Sequence, residues 1–214
     1  MRGLIEKDLR LAFQRKQTIV IFVIMALLLG FSGTGLFVVS YLTVLAGIVA
    51  SSTLNYDEFD NGLEFLLTLP IDRKTYIREK YLLIFASCIV GWAASMVVYV
   101  GCECARGTGT DIIGMLPILF ILLPIMAVAS TAILPLQLKF GAEKSRIVLF
   151  ALIGCIAVVT VAIKNLVALP GKDFVDGLQK IPAGAVMMAV IAICVMAGFI
   201  SYFCSLRIMQ RKEL

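Results

Sequence analysis

The sequence predicts an all-α integral membrane protein, with six transmembrane helices, an N-terminal amphipathic interfacial helix and a short helix on the cytoplasmic side. Three observations predict it. Of 214 residues, 61% are hydrophobic and only 15% charged, where a soluble domain carries roughly a quarter. Every charged residue lies outside five stretches: 17–54, 82–101, 112–138, 147–163 and 183–206. Lysine and arginine crowd onto one side of the topology that these stretches imply.

A hydrocarbon core about 30 Å thick takes about 20 apolar residues at ~1.5 Å rise each. The four later stretches, of 20, 27, 17 and 24 residues, each fit one span. The first has 38 residues, about 57 Å as a single helix, which is too long. Ser32-Gly33-Thr34-Gly35 inside it is a turn signal. The stretch therefore reads as a tight hairpin of two helices, 17–31 and 36–54. Residues 1–214 form one transmembrane domain, with no length left for a soluble one.

With six spans, 15 basic residues fall on the side of the termini and 4, Arg106, Lys164, Lys172 and Lys180, on the other. Positive charge stays inside, so both termini are expected in the cytoplasm. The net charge of +5 is then a topology signal and implies no nucleic-acid partner. Arg15-Lys16 ahead of an apolar run has a signal-peptide look. Cleavage near Gly35 would remove a span and spoil the charge asymmetry, so the segment is expected to stay.

Residues 1–16 carry Leu4, Ile5, Leu9, Ala12 and Phe13 at helical spacing, with charges on the other faces. That pattern predicts a helix lying in the headgroup layer, or more simply a basic anchor. The most informative segment is 55–81. Phe59, Leu63, Leu66 and Leu67 fall at i, i+4, i+7 and i+8, the stripe of a short helix over 57–67. Asp57, Glu58 and Asp60 sit at its start, where carboxylates suit the helix dipole, and Glu64 adds a fourth acid. Leu69-Pro70 ends it, and Asp72 is placed to cap the next helix. Arg73, Lys74, Arg78 and Lys80 are expected among anionic headgroups. The short helix either packs under its own bundle or docks a cytosolic partner, and its apolar stripe suits a partner groove.

The second cytoplasmic loop, 139–146, is short and basic, with Phe140, Glu143 and Lys144 as candidate contacts. Pro117, Pro124 and Pro135 in the preceding span free backbone carbonyls and allow bends, in a moving or curved helix or a static one. Ala46/Ala50 and Gly47/Ser51 permit close helix packing, within one chain or across a dimer. The outer loop, 164–182, has room for a short helix or re-entrant piece at Asp173–Leu178.

Catalytic and binding chemistry is sparse. None of the five apolar stretches holds an ionisable acid or base, and the chain has no histidine. Ion-coupled carriers and intramembrane proteases need such groups. Cys102-Glu103-Cys104 is a weak metal signal without histidine to complete it. No Gly-x-x-x-x-Gly-Lys-[Ser/Thr] run is present, so no cofactor is expected on this chain and any motor must be separate.

The lead-in helix, Asn55-Tyr-Asp-Glu, Leu66-Leu-Thr-Leu-Pro70 followed by Asp-Arg-Lys74, and the six-span plan together resemble permease subunits of type-2 ABC exporters. The small bacterial permeases that export phenol-soluble modulins or lantibiotics are the most similar type. The resemblance implies a bacterial cytoplasmic membrane location and a path formed with a second permease copy or a paralogue. It also implies a cytosolic ATPase subunit that holds ATP and Mg. That subunit would grip a coupling helix at 57–67, made here of Asp57, Glu58, Phe59, Asp60, Leu63, Glu64, Leu66 and Leu67. A path without charges suits amphipathic peptides or other amphiphiles, and membrane lipids are expected partners. A membrane-embedded small-molecule binding subunit of an uptake system is the alternative.

The six-span topology has a direct test. In a cysteine-free background, a cysteine at Asn61 should be labelled only from the cytoplasm and one at Lys172 only from outside. Labelling of both from one side overturns it.

Overall fold

The computed structural model describes residues 2–14, 16–33, 35–58, 72–107, 112–167 and 183–211. Among them every regular element is an α-helix: α1 (Arg2–Gln14), α2 (Lys16–Phe31), α3 (Gly35–Glu58), α4 (Arg73–Arg106), α5 (Ile112–Val167) and α6 (Ala183–Arg211). Four helical segments are long and apolar enough to cross a membrane: Gly35–Asp57, Arg73–Arg106, Gly114–Gly141 and Met187–Arg211. A fifth is present if α1 and α2, bent by 63° to one another, make one broken span. The stretch expected as a further span, 147–163, lies in the second part of α5.

Two helices, α2 and α3, meet at the turn expected at Ser32–Gly35. Helix α2 ends at Phe31, and the amides of Ser32 and Gly33 close the turn on the carbonyls of Leu28 and Gly30. Gly33 takes φ 90°, a left-handed conformation that glycine adopts without a Cβ clash. The Arg106 guanidinium lies directly over it. This turn and the end of α4 thus share one end of the bundle, opposite the end where α1 sits.

Helix α3 is the centre. It packs against α4 and α5 and more lightly against α1 and α2, while α6 lies on α5 and α4. The small residues of α3 explain the closeness. A Cβ on Gly47 would come within 2.2 Å of the Ser130 Oγ on α5 and 3.0 Å of the Cys88 Sγ on α4. A Cβ on Gly91 of α4 would meet the Ala46 Cβ at 2.5 Å. The small-residue face of α3 is therefore used inside one chain. Above it Val39, Tyr99 and Leu119 form a second cluster with Trp92.

Hydroxyl groups in these apolar helices are satisfied locally or between helices, as a medium without water requires. Thr43 and Ser51 donate to their own helix at Val39 O and Gly47 O, 2.6 and 2.8 Å. The Ser201 hydroxyl reaches from α6 to Thr131 O, 3.1 Å. The Tyr81 hydroxyl sits between Ser201 and Ser205 of α6, at 2.7 and 2.9 Å. Trp92 Nε1 donates to Leu119 O, 2.9 Å, joining α4 to α5.

Helix α1 turns Leu4 and Asp8 into the bundle and leaves Leu9 exposed. Pro117, Pro124 and Pro135 all lie inside α5, and the one residue with non-helical backbone angles that breaks it is Gly141, at φ 75° and ψ 171°. Proline costs a helix one hydrogen bond, whereas the left-handed conformation at Gly141 redirects the chain. Asp72 has the extended backbone of an N-cap, yet its side chain caps nothing; its carbonyl accepts from the Tyr76 amide instead. Of the short helix expected over 57–67, Asp57 and Glu58 end α3; residues 59–67 and most of the outer loop, 168–182, lie outside the described residues.

Packing at α3 carries a prediction. Gly47→Val should lower stability by about 1–3 kcal/mol through overpacking, read by denaturant titration in detergent. Gly101→Ala, whose Cβ meets nothing within 4 Å, should leave it unchanged. Equal losses would show that Gly47 is not at a tight crossing.

Candidate functional site

Each of three helices brings charge to one buried point. On α4, Tyr76, Lys80 and Ile84 recur every four residues along its buried face, so the lysine stands in an apolar stripe. On α3, Ala50, Thr53, Leu54 and Asp57 share the inner face at i, i+3, i+4 and i+7. On α1, Leu4 and Asp8 do so at i and i+4. The three stripes converge at the end of the bundle away from the Gly33 turn.

Lys80 is the hub. Only 2% of its side chain is exposed, against 0% for Asp8 and 4% for Asp57. Its ammonium donates to the Asp8 Oδ2, lies 2.7 Å from the Asp57 Oδ2 and donates to the Thr53 Oγ1 at 3.1 Å. The Lys7 Nζ closes the far side, at 2.5 Å from the Asp57 Oδ1 and 3.2 Å from the Asp8 Oδ1. The Tyr76 hydroxyl donates to the Asp57 Oδ2, 2.8 Å, and the Lys80 ammonium lies 5.4 Å from the Tyr76 ring centre. Two cations thus face two carboxylates, with hydroxyl groups filling the gaps. Glu79 adds a third buried carboxyl whose oxygens have no hydrogen-bond partner among the described residues.

Next to the cluster, the Arg73 guanidinium donates to the carbonyls of Met209 and Gln210, 3.2 and 3.3 Å. A cation suits the last turn of α6, where carbonyls are left open and the dipole is negative. The first two turns of α4 therefore fasten α1, α3 and α6 together.

Among the described residues every acid and base of this arrangement but Glu79 is paired. It is a joint. Its position gives it meaning: Asp57 is the last turn of α3 and Tyr76 the first turn of α4, so the joint closes the roots of segment 59–71.

The family model described as ABC-2 family transporter protein matches residues 3–210. The chain belongs to that family. No curated protein and no solved structure shows significant similarity to it. The match covers α1 as well as the apolar helices, so the charged joint lies wholly within the family region. This ABC-2 family protein is a type-2 ABC permease, a multi-pass membrane protein.

The joint changes the meaning of several residues in this permease. Lys80, expected among headgroups, is inside and paired. Asp57, expected at the start of a docking helix, ends α3 with its carboxylate turned into the bundle; Glu58 is the last residue of the same helix. Phe59, Asp60, Leu63, Glu64, Leu66 and Leu67 lie outside the described residues. In the second loop Phe140 is exposed beside the Gly141 break, with the Lys139 ammonium 5.2 Å from its ring centre. Lys144 is exposed three residues on, and the side chain of Glu143 lies outside the description. Cys102 is buried under Gly30, and Cys104 is exposed.

Lys7, Asp8, Tyr76 and Lys80 were not singled out as a group by the sequence. The available signal was a charge on an apolar stripe, Lys80 four residues from Tyr76 and from Ile84.

Removing one partner of a buried ion pair leaves the other charge uncompensated, at about 3–5 kcal/mol. Lys80→Ala should therefore destabilise the purified protein by about that much in denaturant titration. Arg10→Ala, which breaks the exposed Glu6–Arg10 pair, should change little. Equal, small effects would mean that water reaches the joint.

Proposed function

We propose that the chain is the membrane half of an ATP-driven exporter, working as two permease copies or as one with a paralogue. A separate cytosolic ATPase subunit holds the ATP and Mg and grips segment 59–67. The observation that carries this reading is the joint. Lys80 and Asp57 lock the two roots of segment 59–71 to each other and to α1, so a push on the segment reaches three helices at once. A loop that served only to connect two spans would have no need of buried charges at its base.

In this reading Asp57 belongs to the joint, while Phe59, Leu63 and Leu67 are the apolar anchors, with Asp60 and Glu64 facing basic groups of the ATPase. The six-span topology with cytoplasmic termini places that segment on the ATPase side. The 15-to-4 distribution of basic residues supports it. The apolar stretches, free of charge, favour amphipathic peptides or other amphiphiles as cargo over ions or sugars.

Docking can be tested apart from folding. Burying one leucine or phenylalanine side chain is worth roughly 1.5–3 kcal/mol, so Phe59→Ala with Leu63→Ala should weaken ATPase binding about a hundredfold or more. Membrane insertion and expression should stay intact. Full ATPase affinity and transport in the double variant would show that segment 59–67 packs only against its own bundle.

A further inference from the structure

A groove of about 410 Å³ opens between α4, α5 and α6. Its walls come from regular helical faces. Helix α4 supplies Arg78, Leu82 and Phe85 at i, i+4 and i+7, and α5 supplies Pro124. Helix α6 supplies Gly198 and Phe199, with the lining running from Tyr202 to Cys194. Those eight residue steps span about 12 Å along the helix axis. Apart from Arg78 the lining is apolar but for a thiol and two tyrosine hydroxyls, and the Tyr81 hydroxyl is already held by Ser201 and Ser205.

Arg78 is exposed and makes no ion pair or hydrogen bond among the described residues. It stands four residues before Leu82, where the charge-free stretch of α4 begins. A guanidinium at that level sits where the hydrocarbon of a bilayer gives way to headgroups, and the groove runs from it into the apolar layer. Its two close neighbours in sequence, Glu79 and Lys80, are buried on another face of the helix. The groove therefore presents at its mouth one cation, unpaired among the described residues, and an apolar channel behind it. That combination matches an anionic amphiphile by charge and by polarity.

We propose that this groove holds one anionic phospholipid from the leaflet on the side of α1, its phosphate on Arg78 and an acyl chain along Leu82, Phe85, Pro124 and Phe199. Gly198 is what leaves the channel open: a Cβ there meets nothing within 4 Å, so a larger side chain would occupy the groove without displacing a neighbour. The site is on the outer flank of α4 and α6, away from the joint, and it does not depend on which cargo the permease moves.

Native mass spectrometry of the full-length protein released from nanodiscs of mixed phosphatidylglycerol and phosphatidylcholine tests this. Wild type should retain one phosphatidylglycerol in preference to phosphatidylcholine. Loss of a charge-assisted contact lowers affinity about tenfold or more, so Arg78→Gln should cut phosphatidylglycerol retention by that factor and abolish the preference. Gly198→Leu should abolish retention of both lipids, and Arg10→Gln should change nothing. Inorganic phosphate should not compete. Equal retention of both lipids by wild type overturns the proposal, as does undiminished phosphatidylglycerol on Arg78→Gln or Gly198→Leu. Displacement of the lipid by inorganic phosphate would reduce the site to a bare arginine. A Gly198→Leu protein that turns from dimer to monomer with unchanged lipid retention would assign the groove to a second copy of the chain.

Discussion

An ammonium group and two carboxylates taken out of water must find one another, because each alone in an apolar interior costs several kcal/mol. Lys80, Asp8 and Asp57 meet that demand only when α1, α3 and α4 are all in place. Hydrocarbon packing between helices is weakly directional, since lipid tails are as apolar as leucine. The charged joint is directional. It fixes the rotation of three helices about their axes and the depth at which α1 sits, and the small-residue crossings of α3 at Gly47 and Gly91 then follow with little freedom.

The rest of the bundle repeats the same logic at lower cost. Hydroxyl groups tie α6 to α5 and α4 through Ser201, Ser205 and Tyr81, and Arg73 adds a guanidinium on open carbonyls. In a permease this division is useful. One end of the bundle is held by the buried charge cluster, while at the opposite end, among the described residues, the Gly33 turn lies under Arg106. The ABC-2 family match over residues 3–210 means that the charged end belongs to the transporter domain and is no appendage to it.

What the sequence made legible was local. Apolar runs, the Gly33 turn and the positions of α2, α3, α4 and α6 depend on neighbours within a few residues. The joint depends on partners 50 and 72 residues apart, which no periodicity within one helix reveals. Local rules also misled in one place. Acids at 57 and 58 suit the start of a helix, but α3 continues through them, with Lys7 and Lys80 pairing Asp57. The redirection in α5 at Gly141, where the backbone takes an angle that only glycine reaches easily, carried no signal that was read. Phe59 to Leu67 were legible as a stripe and remain the part of the candidate site that the described residues do not reach.

The sequence separations within the joint bear on when each of its contacts closes. Asp8 meets Lys80 only after 72 further residues have been added, whereas the α1 contacts to α3, Lys7 to Asp57 and Asp8 to Thr53, need only about the first two-thirds of that length. The Arg73 contact to the end of α6 spans 136 residues and closes later still. The first two turns of α4 thus collect contacts from helices made well before them and well after them.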